Sequence, residues 1–217
     1  MTGGKDRPWL SVLMPVFNGA ATLEASLASL KDQCDGLDII AVDQGSSDGS
    51  RAILTKAAKH LPLRVIDNSE ASGWAANTNL ALTLAGAEHV TMLHQDAIWT
   101  AGRSKLLRKM LEIKDNVDLW VHGATLIDEA GTAIGRMAPP FGEKARYIAA
   151  EEALEHLLVQ NTLALPACVF RRDAALAEGG LDETLWYTAD WDLWLRLARR
   201  GLVWHTDEGA QFRIHAG

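Results

Sequence analysis

Cysteine is scarce in this chain: Cys34 and Cys168 are the only two in 217 residues. Two thiols without metal-ligand spacing exclude a disulfide framework and a cysteine-built zinc site. Both read as ordinary reduced thiols, which suits a reducing cytoplasm. Long apolar runs are missing too. No stretch approaches the ~20 residues that a helical membrane span requires. The opening, Met1 to Pro8, is polar and lacks the apolar segment of a secretory signal. There is no basic surplus, since 21 Lys and Arg stand against 28 Asp and Glu, a formal net charge of -7. That excludes a protein tracking nucleic-acid phosphates with a positive stripe, and it offers anionic membranes little attraction. Internal repeats and low-complexity tracts are absent as well. What remains is 48% hydrophobic and 23% charged residues, enough for one globular core. Eight tryptophans stand out, a residue that serves cores and, through its flat face, carbohydrate sites.

The first half alternates between two periods. Leu10 to Phe17 is an apolar run closed by Asn18-Gly19, a buried strand ending in a turn. Ala20 to Gln33 carries Leu23, Leu27 and Leu30 at helical spacing, and Leu37 to Val42 is a second strand. Helix is expected at Ser50 to His60 and Trp74 to Ala87, strand at Leu63 to Ile66 and His89 to Leu93. Strands alternating with helices mean right-handed βαβ units and a parallel sheet, whose ligands sit beyond the carboxyl ends of the strands. Polar clusters stand at four such ends: Asn18, Asp43, Asp67-Asn68 and His94-Gln95-Asp96.

The second half is mixed. Asp118 to Ile127 and Ala133 to Met137 read as a hairpin, Pro139 to Gly142 as a loop free to move, and Glu151 to Gln160 as helix. Leu163 to Phe170 reads as a strand despite Pro166, and Trp191 to Arg200 as an amphipathic helix stopped by Gly201. The expectation is one α/β domain over residues 1–217, with a nucleotide-binding half at 1–99 and an acceptor and catalytic half at 100–217.

Among the carboxylates, Asp43 directly follows an apolar strand, where it can accept hydrogen bonds from a base imide or a ribose hydroxyl. Asp48, just before Ser50-Arg51, suits a helix cap better. Asp96 follows a buried strand, an expensive place for a carboxylate unless it is paired, capped or metal-bound. Hard divalent cations take carboxylate oxygens and keep substrate phosphates as further ligands. Asp190 opens a helix, where it can cap or serve as a general base toward an acceptor hydroxyl. Asp192 points to another face, toward Arg196 at helical spacing. His215, near the chain's end, can complete a metal site with Asp96 or contact diphosphate oxygens.

Taken together, Leu10 to Gly19, Ile40 to Ser50, Asn68 with Gly73 and Asn79, and the motif at Asp96 resemble family 2 glycosyltransferases. So do Phe170 to Asp173, Gly179 to Glu183, Asp190 to Arg196 and Phe212 to His215, in the family's order. The resemblance implies the GT-A fold, a UDP-, GDP- or dTDP-sugar donor, Mn²⁺ or Mg²⁺ as cofactor, and inversion at the anomeric carbon. By position it implies that Pro15 and Phe17 line the nucleobase pocket and that Asp43 contacts base or ribose. Asp96 is then the metal-binding acid, Asp190 the catalytic base, and His215 a further metal or diphosphate contact. Asn18, Asn68, Gly73, Asn79, His94 and Trp191 join them as candidate substrate contacts.

The chain departs from the pattern at four places. His94 replaces the first acid of the Asp-x-Asp motif, Gln44 an acid after Asp43, Thr78 an Arg, and Ala189 the Glu before the catalytic Asp. A processive synthase is not expected, because no Gln-x-x-Arg-Trp motif is present. A carbohydrate or lipid-linked acceptor is expected, in the cytoplasm or peripherally at the membrane's inner face. Two alternatives are a nucleotide-sugar or carbohydrate binding protein without activity, and a sugar-1-phosphate nucleotidyltransferase. The second lacks its basic residue after strand one, where Asn18-Gly19-Ala20-Ala21 stands.

Overall fold

The computed structural model describes residues 7–70, 73–114 and 116–215. The polar opening up to Asp6 lies outside the described residues. The elements run β1 (Leu10–Val16), α1 (Ala20–Ala28), β2 (Leu37–Asp43), α2 (Ser50–Ala57), β3 (Leu63–Asp67), α3 (Trp74–Leu84), β4 (His89–Met92) and β5 (Ile98–Trp99). Then come α4 (Arg103–Leu111), β6 (Leu119–Ile127), β7 (Ala133–Met137), β8 (Arg146–Ile148), α5 (Ala150–Leu157), β9 (Cys168–Arg171), α6 (Arg172–Ala177), α7 (Ala189–Leu197) and β10 (Leu202–Arg213).

One sheet takes strands from both halves of the chain, in the order β3-β2-β1-β4-β9-β6-β10-β5, with β7 on β6 and β8 on β10. Strands β3, β2, β1 and β4 are parallel. β9 is antiparallel to both β4 and β6, which restores the original direction in β6, and β10 runs parallel to β6. The carboxyl ends of β1, β2, β3, β4, β6 and β10 therefore share one edge of the sheet.

Period-two alternation sends side chains to two cores. Val12 and Met14 of β1 and Ile39 and Ala41 of β2 pack with Leu23 and Leu27 of α1, Leu54 of α2 and Leu107 of α4. Leu13, Ile40 and Val42 pack on the opposite face with Ala81 and Leu82 of α3, Leu157 of α5 and Trp194 of α7. With helices on both faces, β1 is buried along its whole length, which is why its sequence is an unbroken apolar run. Pro15 is tolerated in it because pairing with β4 stops at Leu13.

Four elements differ from the sequence reading. The first helix stops at Ala28, because Ser29 and Gln33 turn their side chains onto the Ser26 and Ser29 carbonyls, and a short 3-10 turn follows at Lys31–Gln33. Only Cys168–Arg171 of the expected strand around Pro166 is extended, since Leu165–Ala167 forms a 3-10 turn that a residue without an N–H suits. The Pro139 to Gly142 loop is pinned rather than free. Phe141 is 1% exposed, and the Trp204 indole donates to the Gly142 carbonyl at 2.9 Å. Strand β10 was not anticipated because its middle, Thr206-Asp-Glu-Gly209, reads as a turn. In the fold that stretch is a pair of register shifts against β6. No helix among the described residues is long and apolar enough to cross a membrane.

Candidate active site

At the shared carboxyl edge, Pro15, Val16, Phe17, Gln44, Trp74, Asn77, His94, Gln95 and Asp96 line a cleft of about 130 Å³. A larger hollow of about 420 Å³, lined by Pro8, Trp9, His89 and Arg108 among others, lies where β1 and β4 begin. In a parallel sheet that is the edge away from ligands, so the smaller cleft is the candidate.

The loops around the cleft are bonded to one another. Asn18 has a left-handed backbone, φ 47°. Its side-chain oxygen accepts the Ser47 N–H at 2.9 Å, and its own N–H donates to the Ser46 hydroxyl at 2.9 Å. Asp48 accepts from the N–H groups of Ala20 and Ser50, both at 2.9 Å, so it caps the starts of α1 and α2 together. Gln95 spans to the first loop. Its amide oxygen accepts the Phe17 N–H at 2.8 Å and its amide nitrogen donates to the Phe17 carbonyl at 3.0 Å. A Cβ at Gly19 would meet the Gln95 side chain, which would have to move off Phe17 to make room.

Asp43 ends β2 and is 1% exposed. One of its oxygens accepts the Ser46 hydroxyl at 2.5 Å, while the other, Oδ2, is buried without a partner among the described residues. A carboxylate oxygen in that state is costly unless something donates to it, and beside an open cleft the natural donor is a ligand N–H or O–H. His94 is in the same condition. Its Nε2 is buried and unpartnered, and its ring stands edge-on to Trp74, centroids 5.1 Å apart. Burial holds its imidazole below the ordinary value against the opposing pull of Asp96, so the ring is neutral at pH 7.

Asp96 meets the end of the chain. Because β10 runs parallel to β4, its carboxyl end returns to this edge, and His215 Nε2 lies 2.8 Å from Asp96 Oδ2. Arg213 fixes the approach by donating to the carbonyls of Asp96 at 3.3 Å and Asp128 at 2.6 Å. No group of three or more His, Cys, Asp or Glu side chains among the described residues can hold a metal by itself. The Asp96 and His215 pair is thus an incomplete donor set, of the kind a divalent cation completes with phosphate oxygens and water.

Asp190 lies in the first turn of α7 and is 8% exposed. Its Oδ2 accepts the Asn161 amide at 3.2 Å. Burial raises its carboxyl above the ordinary value, and the Trp191 N–H and Asn161 offset only part of that. Asp190 is close enough to Cys168 that its charge adds to burial in pushing that thiol up. Cys168 opens β9, next to β4, where its carbonyl accepts the Thr91 hydroxyl at 2.7 Å. A further link crosses from the cleft wall, where the Trp74 indole donates to the Trp186 carbonyl at 2.7 Å, just ahead of α7.

Pro15, Phe17, His94 and Asp96 thus meet in the cleft, with Asp43 beside it and His215 on Asp96. Asn68 reaches it through Asn77, to which it donates at 2.9 Å, and Gly73 starts the helix carrying Trp74 and Asn77. Two candidates are engaged elsewhere. Asn79 accepts the Leu181 N–H at 2.8 Å and donates to Leu181 and Glu183, fixing the loop before α7. The Trp191 indole donates to the Leu157 carbonyl at 2.7 Å, tying α7 to α5. Asn18 is a loop tie as much as a lining residue. Trp74, Asn77, Gln95, Asn161 and Arg213 were assigned no role from sequence, although Gln95 stands in the polar cluster after the fourth strand. A Trp right after Gly73, at the start of a helix facing a strand-end loop, was the one available signal.

Comparison with known proteins identifies the family and the fold. Residues 11–173 match Glycosyl transferase family 2, a span that ends before α7 and β10. An uncharacterized glycosyltransferase of Rickettsia typhi is 26% identical over 93% of this chain and 62% of its own length. An Escherichia coli UDP-Glc:α-D-GlcNAc-diphosphoundecaprenol β-1,3-glucosyltransferase is 26% identical over 60% of this chain and 51% of its own. The chain therefore spans little more than half the length of these relatives. Among solved structures, S. aureus TarS 1–349 in complex with UDP-GlcNAc shares the fold, with a TM-score of 0.79 at 18% identity. The match covers 96% of this chain and 59% of that one. The mannosyltransferase PcManGT from Pyrobaculum calidifontis, in complex with GDP-Man and Mn²⁺, has a TM-score of 0.68 at 18% identity over 96% and 57%.

Proposed function

The chain belongs to glycosyl transferase family 2, and from that premise we propose that it transfers a sugar from a nucleoside diphosphate to an acceptor hydroxyl. The observation that carries the proposal is one sheet edge bearing three acidic positions in different states. Asp43 has an oxygen short of a donor, Asp96 is joined to an imidazole, and Asp190 is buried with its carboxyl raised.

Asp43 Oδ2 accepts an N–H or O–H of the base or ribose, and Pro15, Phe17 and Trp74 enclose the nucleoside. Asp96 and His215 would hold a divalent cation, Mn²⁺ or Mg²⁺, which when bound would supply positive charge against the departing diphosphate. Asp190 removes the proton of the acceptor hydroxyl as its oxygen bonds to the anomeric carbon. The bond from that carbon to the diphosphate oxygen breaks, and its electron pair leaves with the phosphate. One displacement of this kind inverts the anomeric carbon. Burial suits Asp190 to the task, because a carboxylate raised toward neutrality is a stronger base than one in water. UDP-sugars are the first donors to try, since a UDP-sugar appears in the E. coli relative's name and in the TarS complex. The acceptor is a carbohydrate, free or lipid-linked.

Melting temperature measured with UDP, GDP, dTDP and CMP, and their sugars, with and without Mn²⁺, tests the donor side. A ligand that binds only the folded state raises it by mass action. A Mn²⁺-dependent shift with one nucleotide family, followed by release of that nucleotide from its sugar, supports the reading. A second reading, a binding protein without transfer, is favoured by the site at Asp96, where Asp96 and His215 are the only two metal-ligating side chains among the described residues. It predicts the shift without nucleotide release. No shift with any ligand overturns both.

A further inference from the structure

Trp186 and Tyr187 stand just before α7 and are left in solvent, at 77% and 78% exposure. Their rings meet edge to face, centroids 5.6 Å apart at an interplanar angle of 62°. Two large aromatics side by side on a surface cost hydration and commonly mark a binding place. The Trp186 backbone is tied to the cleft wall by the Trp74 indole. Asp190, a few residues on, is the base of the reading above, and Trp74 itself lines the cleft. The pair therefore sits in the segment that joins the cleft wall, through Trp74, to the start of α7 and Asp190.

We propose that Trp186 and Tyr187 form the acceptor subsite, a platform on which the C–H face of a pyranose ring stacks with its hydroxyl turned toward Asp190. This rests on the glycosyltransferase reading and names the acceptor's contact group as a sugar ring rather than a lipid chain. Amphipathic aromatic rings offer an apolar face to ring C–H groups and polar tips to hydroxyls. The surroundings argue against a membrane. Asp182, Glu183 and Thr184 are exposed beside the pair. Asp182 is held below the ordinary carboxylate value by the Thr184 hydroxyl and N–H, so it stays charged and repels anionic headgroups. An acyl chain would need a continuous aliphatic groove, whereas this loop is turned and polar, with Asp182 accepting the Thr184 N–H at 2.9 Å.

The test uses the whole chain labelled with 5-fluorotryptophan, with the Trp186 fluorine resonance assigned by its loss in Trp186→Phe. The probes are methyl glycosides of glucose, N-acetylglucosamine, galactose and mannose, each with and without UDP. Phosphatidylglycerol–phosphatidylethanolamine vesicles form the second arm. The expected result is a saturable shift of the Trp186 resonance with at least one glycoside and none with vesicles. Tyr187→Ala should weaken that glycoside about tenfold, the range of an aromatic contact with its buried area. If no glycoside moves the resonance, the proposal is overturned, and a shift with vesicles alone makes the pair a membrane contact instead. Nucleotide binding, followed in the same samples at the Trp74 resonance, separates the two readings. Nucleotide without glycoside sinks only the subsite, and glycoside without any nucleotide sinks the donor reading and leaves a sugar-binding surface rather than an acceptor subsite.

Discussion

Along the carboxyl edge of the sheet, the loops after β1, β2 and β4 are laced to one another by Asn18, Asp48 and Gln95. The region around Asp190 is built the other way. It is drawn from segments far apart in the chain, bonded through single contacts such as Asn161 to Asp190 and Trp74 to Trp186, with two aromatics left in water. The cleft side is fixed before any ligand arrives. The Asp190 side stores its cost instead, because a buried carboxylate, without a cationic partner among the described residues, disfavours its own charge. Stability is spent where a base is wanted, and rigidity where a nucleotide is to be held.

Substitutions can break this contrast, and the largest effect is expected at Asp190. Asp190→Asn keeps an oxygen for Asn161, so nucleotide affinity by calorimetry should be unchanged while sugar transfer falls by about 10²–10⁴, the worth of a general base. Near-normal transfer would remove Asp190 from that role. Next is Asp43→Asn, which keeps an oxygen for Ser46 but loses the charge. Nucleotide affinity should fall by about 10- to 100-fold, as for a hydrogen bond to a charged group, and unchanged affinity would mean that Asp43 Oδ2 meets no ligand. Gln95→Ala removes both bonds to Phe17 and should lower stability to urea by about 1–2 kcal/mol, with weaker nucleotide binding. If denaturation is unaltered, the cleft is not held from that loop.

The pH dependence sharpens the contrast further. Since the Asp190 carboxyl lies above its ordinary value of 3.8 in the folded state, transfer should fail on acidification at a higher pH than an exposed carboxylate would give. The same shift has a stability consequence. The folded state binds the Asp190 proton more readily than the unfolded state does, so its contribution is full below the ordinary value and is lost as pH rises through the raised one. Asp190→Asn should therefore melt higher than the parent at pH 7, and the gap should close on acidification below 3.8. A gap that widened in acid would contradict the assignment.

Much of the cleft was legible in the sequence because parallel βαβ units put their polar residues in predictable places. A buried strand is apolar throughout, so Asp43 and Asp96 mark its end and therefore the sheet edge. Helix spacing likewise pairs Asp192 with Arg196, whose guanidinium lies 2.6 Å from that carboxylate. Local pattern did not say where Asn79 and Trp191 point, since a polar or aromatic residue near a site looks the same whether it faces ligand or neighbouring backbone. Asn79 holds the loop before α7 and Trp191 holds α5.

What the sequence alone determined is the alternating half and its row of carboxylates, because those follow from periods of two and 3.6 residues and from the cost of burying charge. What the tertiary structure decided is the meeting of Asp96 with His215 and the seat of Asp190. The first depends on the direction of β10, a strand whose bulged middle carries no strand signal, and the second on β9 running against its neighbours. Both are contacts between segments distant in the chain, set by the order of strands in the sheet, which no local spacing encodes.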